Sequence, residues 1–598
     1  MSGKSSNLGQ FWQELKRRKV IRRNMVYAAS GFVILEFISN ITEPFGLPDW
    51  TLKLVFIILC IGFVISIFLS WFYDFTPDGI ERIKSTSNAK VIPSEKPTLL
   101  LAWKIATYIS VVIIAGLLVL NIVRGGKKSE DLTGLEKSIA VLPFENMSID
   151  DEHSYIGDAM SDEIIMQLKN IKEFRVISRT STLKYKDSKN TIPTIAQELN
   201  VNYLVEGSVQ RQDDNVRIRV QVIRAKNEDH IWGETYDKEW KDIFSIQSDV
   251  AQQIARELEA ILSPEEIQRI DKRPTENLDA YEMYLQGRHF WNKRSEEGIK
   301  VAIEFFRDAI EKDTNYALAY AGLADGYSML ARYGYISSTE GVSENFQKAK
   351  NAGLMALKID NTLAEAYTSL AYVKLYYDRD WNGVLKDFER AIQLNPGYET
   401  AHHWLSIWFV CHRRYDEAIE AVRRAQELDP FSPVINNSVV RRLYEARKYE
   451  IAFEEAQRAI KITPDFFLTH QMLGLVYLQK GMFSEAVSEM QKAARYSGNS
   501  PNIKAYLGYV YAATGNQAKA REILNELIES SKDEYVPSTA FTVIYTGLND
   551  HDNAISWLEQ AYEEKSPMII YLNALPEFDP LRSDPRFIEL LEKMGFEY

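Results

Sequence analysis

The chain has 598 residues and a net charge of −13, with 70 Lys and Arg against 83 Asp and Glu. This length exceeds what one hydrophobic core organises, so several domains are expected, and the acidic balance argues against a general nucleic-acid binder. Two cysteines, Cys60 and Cys411, are too few for a disulfide framework or a four-cysteine zinc site.

The N-terminal region is basic at first and then apolar. Residues 1–24 carry a cluster of Lys and Arg and are predicted to be cytoplasmic. The runs Leu54–Phe72 and Ile105–Val123 contain no charged residue, and each is long enough to cross a hydrocarbon layer of about 30 Å. A weaker segment, 25–42, is interrupted by Glu36. Together they predict a membrane region over 25–123 with about three transmembrane helices, at 25–42, 53–73 and 104–123.

The distribution of charge between these segments predicts the topology. The loop Thr42–Trp50 has no Lys or Arg, which suits the outside, and the next loop is basic, which suits the inside. Three crossings would place the linker 124–137 and everything after it outside. The alternative is that 25–42 lies in the interface as an amphipathic helix, in which case the rest of the chain faces the cytoplasm.

Residues 138–262 are predicted to form a compact α/β domain. Ile139–Phe144 is a short apolar run typical of a buried strand, and Val216–Ile223 alternates as a half-buried strand does. Ser154–Leu168 and Asp242–Leu262 have apolar residues at helical spacing.

Five motifs in this region resemble the TolB-like amino-terminal domain. In chain order they are Ser138-Ile-Ala-Val-Leu-Pro-Phe-Glu-Asn-Met-Ser148, Tyr155-Ile-Gly-Asp158, Val205-Glu-Gly-Ser-Val209, Trp232-Gly-Glu-Thr-Tyr236 and Phe244-Ser-Ile-Gln-Ser-Asp249. The resemblance implies a bacterial protein, an interaction role in the cell envelope, and a domain placed between a membrane helix and tetratricopeptide (TPR) repeats. It implies no catalytic residues. The expected location is therefore the bacterial inner membrane, as a multi-pass protein with a large C-terminal region in the periplasm.

A 34-residue period dominates the second half of the chain. It links Val384, Ala418, Ala452, Ala486, Ala520 and Ala554. A period of this length indicates stacked helix pairs, and the small and large residues around it resemble TPR repeats. The pattern predicts an all-α TPR solenoid of about eight repeats over 278–566. Residues 567–598 are predicted to cap it, with Asp584 as N-cap and Pro585 at the first helical position.

Candidate ligand-binding residues come from the array, because repeat arrays present a long concave surface. Arg423, Arg424, Arg441 and Arg442 could bind an acidic ligand there, and the alternative is a solvated or salt-bridged surface. Tyr376 and Trp404 belong to an aromatic-rich region that is either repeat core or a ligand platform. The nearby His402, His403 and His412 are expected to pack or be solvated, with a metal site as the alternative.

No catalytic, cofactor-binding or metal-binding motif was found in the sequence, so the chain is predicted not to be an enzyme and to need no cofactor. The expected fold is multidomain, with transmembrane helices, a small α/β domain and a TPR solenoid. The expected function is a membrane-anchored interaction scaffold, whose TolB-like domain and TPR array bind a protein or ligand and support an envelope transport, degradation or sensing system. The expected partners are proteins on the concave surface and the lipid bilayer, and a homo-oligomer is an open alternative. The alternative function is a sensory component that signals through its membrane helices to a separate cytoplasmic partner, and an enzyme is a remote alternative.

Overall fold

The computed structural model describes residues 136–148, 155–293, 295–332, 339–533 and 535–596, the strands at 73–76 and 79–82, and the helical positions 27, 29–32, 34–36, 55, 59 and 63. The chain divides into two compact units, Met1–Thr133 and Gly134–Tyr598.

In the first unit, strands β1 (Tyr73–Thr76) and β2 (Gly79–Arg82) form an antiparallel hairpin. Closer to the N-terminus, the Tyr27 hydroxyl donates a hydrogen bond to the carbonyl of Leu59 at 3.2 Å, and the rings of Tyr27 and Phe63 lie 6.0 Å apart. These contacts join the helical positions near residue 27 to those near residue 59.

The predicted membrane region requires a correction. A spanning helix needs about 20 predominantly apolar residues, and among the described residues no helix combines that length with that apolar character. On this finding the predicted transmembrane helices are wrong, and so is the predicted location as a multi-pass inner-membrane protein with a periplasmic C-terminal region. Most of 25–42 and 53–73, and all of 1–24 and 104–123, lie outside the described residues. The second predicted span ends at Tyr73, where β1 begins.

The second unit begins with a small sheet domain. Its strands are β3 (Ser138–Val141), β4 (Glu145–Asn146), β5 (Arg175–Val176), β6 (Tyr203–Gln212), β7 (Asn215–Arg224) and β8 (Asp229–Glu239). They form a sheet with the order β5-β3-β6-β7-β8, and β4 also pairs with β6. Strand β3 is parallel to β5 and to β6, and β4 is parallel to β6, whereas β6, β7 and β8 form an antiparallel meander.

Helices cover both faces of the parallel strands, which explains why β3 is a continuous apolar run. Ile139 and Val141 face a cluster that includes α1 (Ile156–Lys169) and α4 (Ile243–Glu257), whereas Ala140 faces a smaller cluster that includes α3 (Ile192–Leu199). The helices of this domain are α1 (Ile156–Lys169), α2 (Arg179–Thr182), α3 (Ile192–Leu199), α4 (Ile243–Glu257) and α5 (Pro264–Ile270).

Within the described residues after 277, the chain forms eight helix pairs. Pairs 1 to 4 are Leu278–Trp291 with Glu296–Lys312, Ala317–Arg332 with Thr339–Ile359, Ala364–Val373 with Trp381–Leu394, and Glu399–Cys411 with Tyr415–Leu428. Pairs 5 to 8 are Pro433–Glu445 with Tyr449–Ile462, Phe467–Gln479 with Phe483–Tyr496, Pro501–Ala513 with Gln517–Ser530, and Ser538–Gly547 with His551–Glu563.

The first helices of successive pairs contact one another along the array, as pairs 5, 6, 7 and 8 illustrate. We call the surface that these first helices form the inner face. Small residues allow the two helices of a pair to approach closely: a Cβ atom added to Gly474 would lie 3.1 Å from the carbonyl oxygen of Ala486. The array joins the sheet domain without a break, because Gln247 in α4 donates to the Tyr281 hydroxyl of pair 1 at 2.7 Å.

The chain after the eighth pair forms two 3₁₀ helices, Pro567–Tyr571 and Pro576–Leu581, and a last α-helix, Pro585–Lys593. We call residues 567–596 the C-terminal segment. Asp584 caps the last helix as expected, since its side chain accepts a hydrogen bond from the Arg586 backbone. Leu590 and Leu591 are buried with the array core.

The eighth pair and the residues after it reach back to the third pair. The Arg379 guanidinium lies 4.8 Å from the ring centre of Tyr562, and the Lys565 ammonium lies 4.4 Å from that of Tyr377. The indole nitrogen of Trp381 donates to the carbonyl of Met594 at 2.7 Å. The array therefore closes on itself, with the C-terminal segment packed inside it.

Candidate protein-binding surface

The C-terminal segment occupies a large part of the inner face. The hydroxyl groups of Tyr376 and Tyr571 are 2.9 Å apart, and the Asn573 amide donates to the carbonyl of Cys411 at 3.1 Å. These bonds tie the segment to pairs 3 and 4. Ile570, Leu572 and other apolar residues of the segment are fully buried.

Three of the predicted ligand-binding residues lie together around Tyr571. Tyr376 shares the contact just described, Arg441 has its guanidinium carbon 4.1 Å from the ring centre of Tyr571, and that of Arg442 is 5.7 Å away. Arg442 is 2% exposed and forms an ion pair with Glu445 at 2.9 Å. The surface predicted for an external ligand is thus filled, at this point, by the chain itself.

The other three predicted residues have different neighbours. Trp404 is buried, and its ring lies 4.2 Å from that of Tyr372. Arg423 forms an ion pair with Glu455 at 2.7 Å, and Arg424 bonds Glu427 at 2.8 Å; both arginines are on the second helix of pair 4 rather than the first. Ligand binding by the six predicted residues stays a prediction.

Each histidine of the cluster considered for a metal has its own protein partner. His402 bonds the carbonyl of Pro396 at 2.9 Å, His403 bonds the Ser438 hydroxyl at 2.8 Å, and His412 bonds the carbonyl of Trp408 at 2.9 Å. Burial lowers the pKa values of His402 and His412. The three rings are held by separate bonds, which is the packing arrangement.

Two carboxyl groups are buried where the C-terminal segment meets pair 5. Glu445 is 0% exposed and is matched by Arg442. Glu577 is 1% exposed, and neither of its carboxyl oxygens has a hydrogen-bond partner on another described residue. Burial raises the pKa of Glu577 to about 7, and its own backbone N–H and the nearby charge of Arg441 offset only part of that effect. No signal in the sequence identified this site, because it depends on a segment that folds back over the array.

Beside the C-terminal segment the inner face is nearly filled. A narrow cleft with room for about one water molecule lies between the first helix of pair 7, both helices of pair 8 and the segment. Asn502, Tyr506, Thr539, Val543, Leu558, Met568, Ile569, Leu572, Leu575 and Phe578 line it. In pair 5, Val434 is 38% exposed, although it is an apolar residue of a first helix. The cleft is mainly apolar, with a few polar side chains.

The sheet domain packs against the array through buried charges. Lys169 forms an ion pair with Glu399 of pair 4 at 2.7 Å, and the Ser181 hydroxyl donates to Asp429 at 2.6 Å. Burial alone would raise the pKa of Glu399, but the charge and hydrogen bond of Lys169 bring it below its ordinary value. A second narrow cleft, between α1 and pair 1, is lined by residues of both signs, among them Asp162 and Arg288.

Two family models match parts of the chain. Residues 135–255 match the second domain of HilA/YgeH-like transcriptional regulators, and residues 477–536 match a tetratricopeptide repeat. The prediction of TPR repeats is therefore confirmed. As a class, tetratricopeptide repeats are protein-interaction modules and are mostly not catalytic.

Relatives match only part of their own length. The "Putative adenylate cyclase 3" of Rhizobium meliloti (strain 1021) is 31% identical over 235 residues, which is 39% of each chain. The anaphase-promoting complex subunit 3 of Schizosaccharomyces pombe is 22% identical over 28% of this chain and 25% of that protein. This chain thus spans well under half the length of these two relatives. A solved structure, Pseudomonas aeruginosa pilF, is 19% identical over 39% of this chain and 98% of its own, with a TM-score of 0.26.

Proposed function

We propose that this protein is a non-enzymatic scaffold whose TPR array binds a partner protein on the open part of its inner face. The observation that carries the proposal is the exposed apolar side chain of Val434 on the first helix of pair 5, in an array whose repeats match a protein-binding family. The C-terminal segment itself is too deeply buried to be displaced by a partner. Each of its fully buried Ile and Leu side chains stabilises the packed state by about 1.5–3 kcal/mol, so uncovering several of them would cost more than a typical interface recovers.

We also propose that residues 138–262 are a TolB-like domain. The motifs that support this assignment fall on ordered elements: Ser138–Ser148 contains β3 and β4, and Trp232–Tyr236 lies within β8. In the proposed scaffold this domain holds pair 4 and the turn before pair 5 in place, through the bonds of Lys169 and Ser181. The partner then meets a preformed surface and little ordering is needed on binding.

A regulatory component is the second candidate. Two names favour it: the family model for residues 135–255 comes from transcriptional regulators, and one relative is named an adenylate cyclase. In this reading the bound partner transmits a signal to a separate protein. The scaffold and regulatory readings share the same first step, which is binding of a protein on the inner face.

Site-specific crosslinking in the native host tests that step. A photo-reactive phenylalanine at Leu468, on the first helix of pair 6, is expected to give one discrete adduct with a partner protein. The matched control is the same residue at Phe483, which begins the second helix of the same pair and is 51% exposed. A second probe at Val434, on the first helix of pair 5, tests the same face. Binding at the inner face is refuted if neither Leu468 nor Val434 gives an adduct, or if Phe483 gives the same adduct in equal yield.

A further inference from the structure

Strand β8 is the free edge of the sheet. The strand order ends with it, and no described strand pairs with its outer side. In β7, the residues that face the helices are all buried: Val216, Ile218, Val220 and Val222. Of the four β8 residues opposite them, only Tyr236 is buried. This edge strand therefore lacks the cover that its neighbour has.

The edge is long and regular enough to pair with another strand. Strand β8 contains no proline, and residues 232–239 pair with β7 without interruption, because the one irregularity lies near the start of the strand. The Tyr236 hydroxyl donates to Asp249 at 2.7 Å, which holds this stretch against α4. An exposed, regular edge strand presents a row of unpaired N–H and C=O groups, and a second strand can satisfy them.

Two charged side chains of β8 have no partner of opposite charge. The other three, Asp229, Asp237 and Glu239, are each ion-paired with a cation of their own domain. Glu234 and Lys238 are exposed, and neither forms an ion pair with any described residue. The Tyr236 hydroxyl lies 3.5 Å from Glu234, but it already donates to the carboxylate of α4.

Glu234 and Lys238 are placed symmetrically about Tyr236. One lies two residues before it and the other two residues after it, so both share its face of the strand. When two identical strands pair antiparallel about a two-fold axis at Tyr236, a residue before Tyr236 lies opposite the residue equally far after it. Glu234 of each copy then lies opposite Lys238 of the other. Pairing thus creates two ion pairs that the single chain lacks.

Neighbouring registers of the same pairing are less favourable. An axis at Glu234, Asp237 or Lys238 would place that charge opposite its own copy, and an axis at Thr235 would bring no opposite charges together. Like charges directly opposite each other destabilise a strand pair, whereas opposite charges stabilise it. Charges on an edge strand commonly guard it against pairing. Those of β8 instead select the register centred on Tyr236.

We propose that the protein forms a two-fold homodimer through strand β8, which pairs antiparallel with β8 of a second copy about Tyr236. Residues 233–239 of the two copies form the ladder, and the two sheets join into one. The inference goes beyond the proposed scaffold function. A dimer offers two TPR arrays, so a partner that carries two binding segments is held more tightly than by one array.

Sedimentation velocity of the purified full chain measures the equilibrium between monomer and dimer. The wild type is expected to dimerise as its concentration rises to about 100 μM. Glu234→Lys and Lys238→Glu are each expected to weaken dimerisation at least about 10-fold, because each change turns two attractive pairs into two repulsive ones. Both side chains are exposed, so both variants are expected to fold as the wild type does.

A mixture of these two variants gives the sharper test. Glu234→Lys has a lysine at both positions and Lys238→Glu has a glutamate at both, so each variant repels itself but complements the other. The mixture is expected to form heterodimers with a Kd within about 3-fold of that of the wild-type dimer. Glu228→Lys, exposed in the turn before β8, is the matched control, because it makes the same charge change outside the ladder. It is expected to leave the Kd unchanged.

Three results would overturn the inference. A chain that stays monomeric up to about 100 μM has no such interface, and β8 is then an edge for another protein or for none. A dimer that is indifferent to both charge reversals uses another surface. Variants that weaken the dimer but do not recover on mixing show that Glu234 and Lys238 do not face each other. The scaffold function is tested separately, by crosslinking at Leu468, and none of these results affects it.

Discussion

Replacing Glu577 with glutamine is expected to change how the stability of the C-terminal segment depends on pH. The carboxyl group is 1% exposed, and burial raises its pKa to about 7. Its ordinary value is 4.5, so the folded segment binds a proton more tightly than the unfolded chain does. A folded state that binds more protons loses stability as the pH rises. Between pH about 4.5 and about 7, the wild-type segment is therefore progressively destabilised.

The size of the effect follows from the pKa difference. Each pKa unit corresponds to about 1.4 kcal/mol, so the full penalty of ionising Glu577 in the folded state is about 3 kcal/mol. About 2–3 kcal/mol of it falls between about pH 5 and about pH 8. Glutamine has no charge to bury, and any cost of its own buried amide is independent of pH. Relative to the wild type, the Glu577→Gln variant is expected to gain about 2–3 kcal/mol over this interval.

Hydrogen exchange measured by mass spectrometry on the full chain gives the local stability of the segment. Peptides covering residues 567–581 report the opening free energy at about pH 5 and about pH 8, after correction for intrinsic exchange. Glu592→Gln, which removes an exposed charge from the same segment, is the control and is expected to show no such gain. Equal pH dependence in the wild type and the Glu577→Gln variant would refute the reasoning, because the carboxyl group would then be ionised in the folded state at little cost.

Two further predictions concern packing. Lys169→Met leaves Glu399 as a largely buried carboxylate without its cation, and it is expected to destabilise the contact between the sheet domain and pair 4 by about 3–5 kcal/mol, whereas Lys169→Met with Glu399→Gln recovers most of the loss. Hydrogen exchange in residues 156–169 and 399–411 measures this, and no recovery in the double variant would contradict the pairing. Gly474→Val is expected to lower the stability of pair 6 by about 1–3 kcal/mol, since a Cβ there would lie 3.1 Å from Ala486 O and 3.3 Å from Met490 Cε. Unchanged exchange in residues 467–496 would show that the two helices of this pair are not in close contact at Gly474.

The parts of the fold that local patterns encode could be predicted from the sequence. The 34-residue period reports the packing of each helix pair on its neighbours, and it led to the TPR array. The alternation of apolar residues in 216–223 led to strand β7 in the same way. The predicted membrane helices were wrong because apolar runs alone were the basis for them, and no helix of the described chain has the required length and apolar character.

The surroundings of the site could not be predicted, because they depend on contacts between distant residues. Tyr376 and Tyr571 are 195 residues apart, and no periodic signal connects them. Arg442 was predicted to line the concave surface, yet it is buried. Its burial depends on the ion pair with Glu445, three residues later, and this spacing was a signal that the sequence did contain.

The closure of the array has a consequence for how the protein is made. Pair 3 leaves the ribosome 195 residues ahead of Tyr571, the residue that covers Tyr376. At about 5–20 residues per second, synthesis takes roughly 10–40 seconds to supply the missing piece. During that time the apolar inner face of pair 3 is uncovered in the growing chain. Nascent chains of this protein are therefore expected to need chaperone protection until residues 567–596 have been translated.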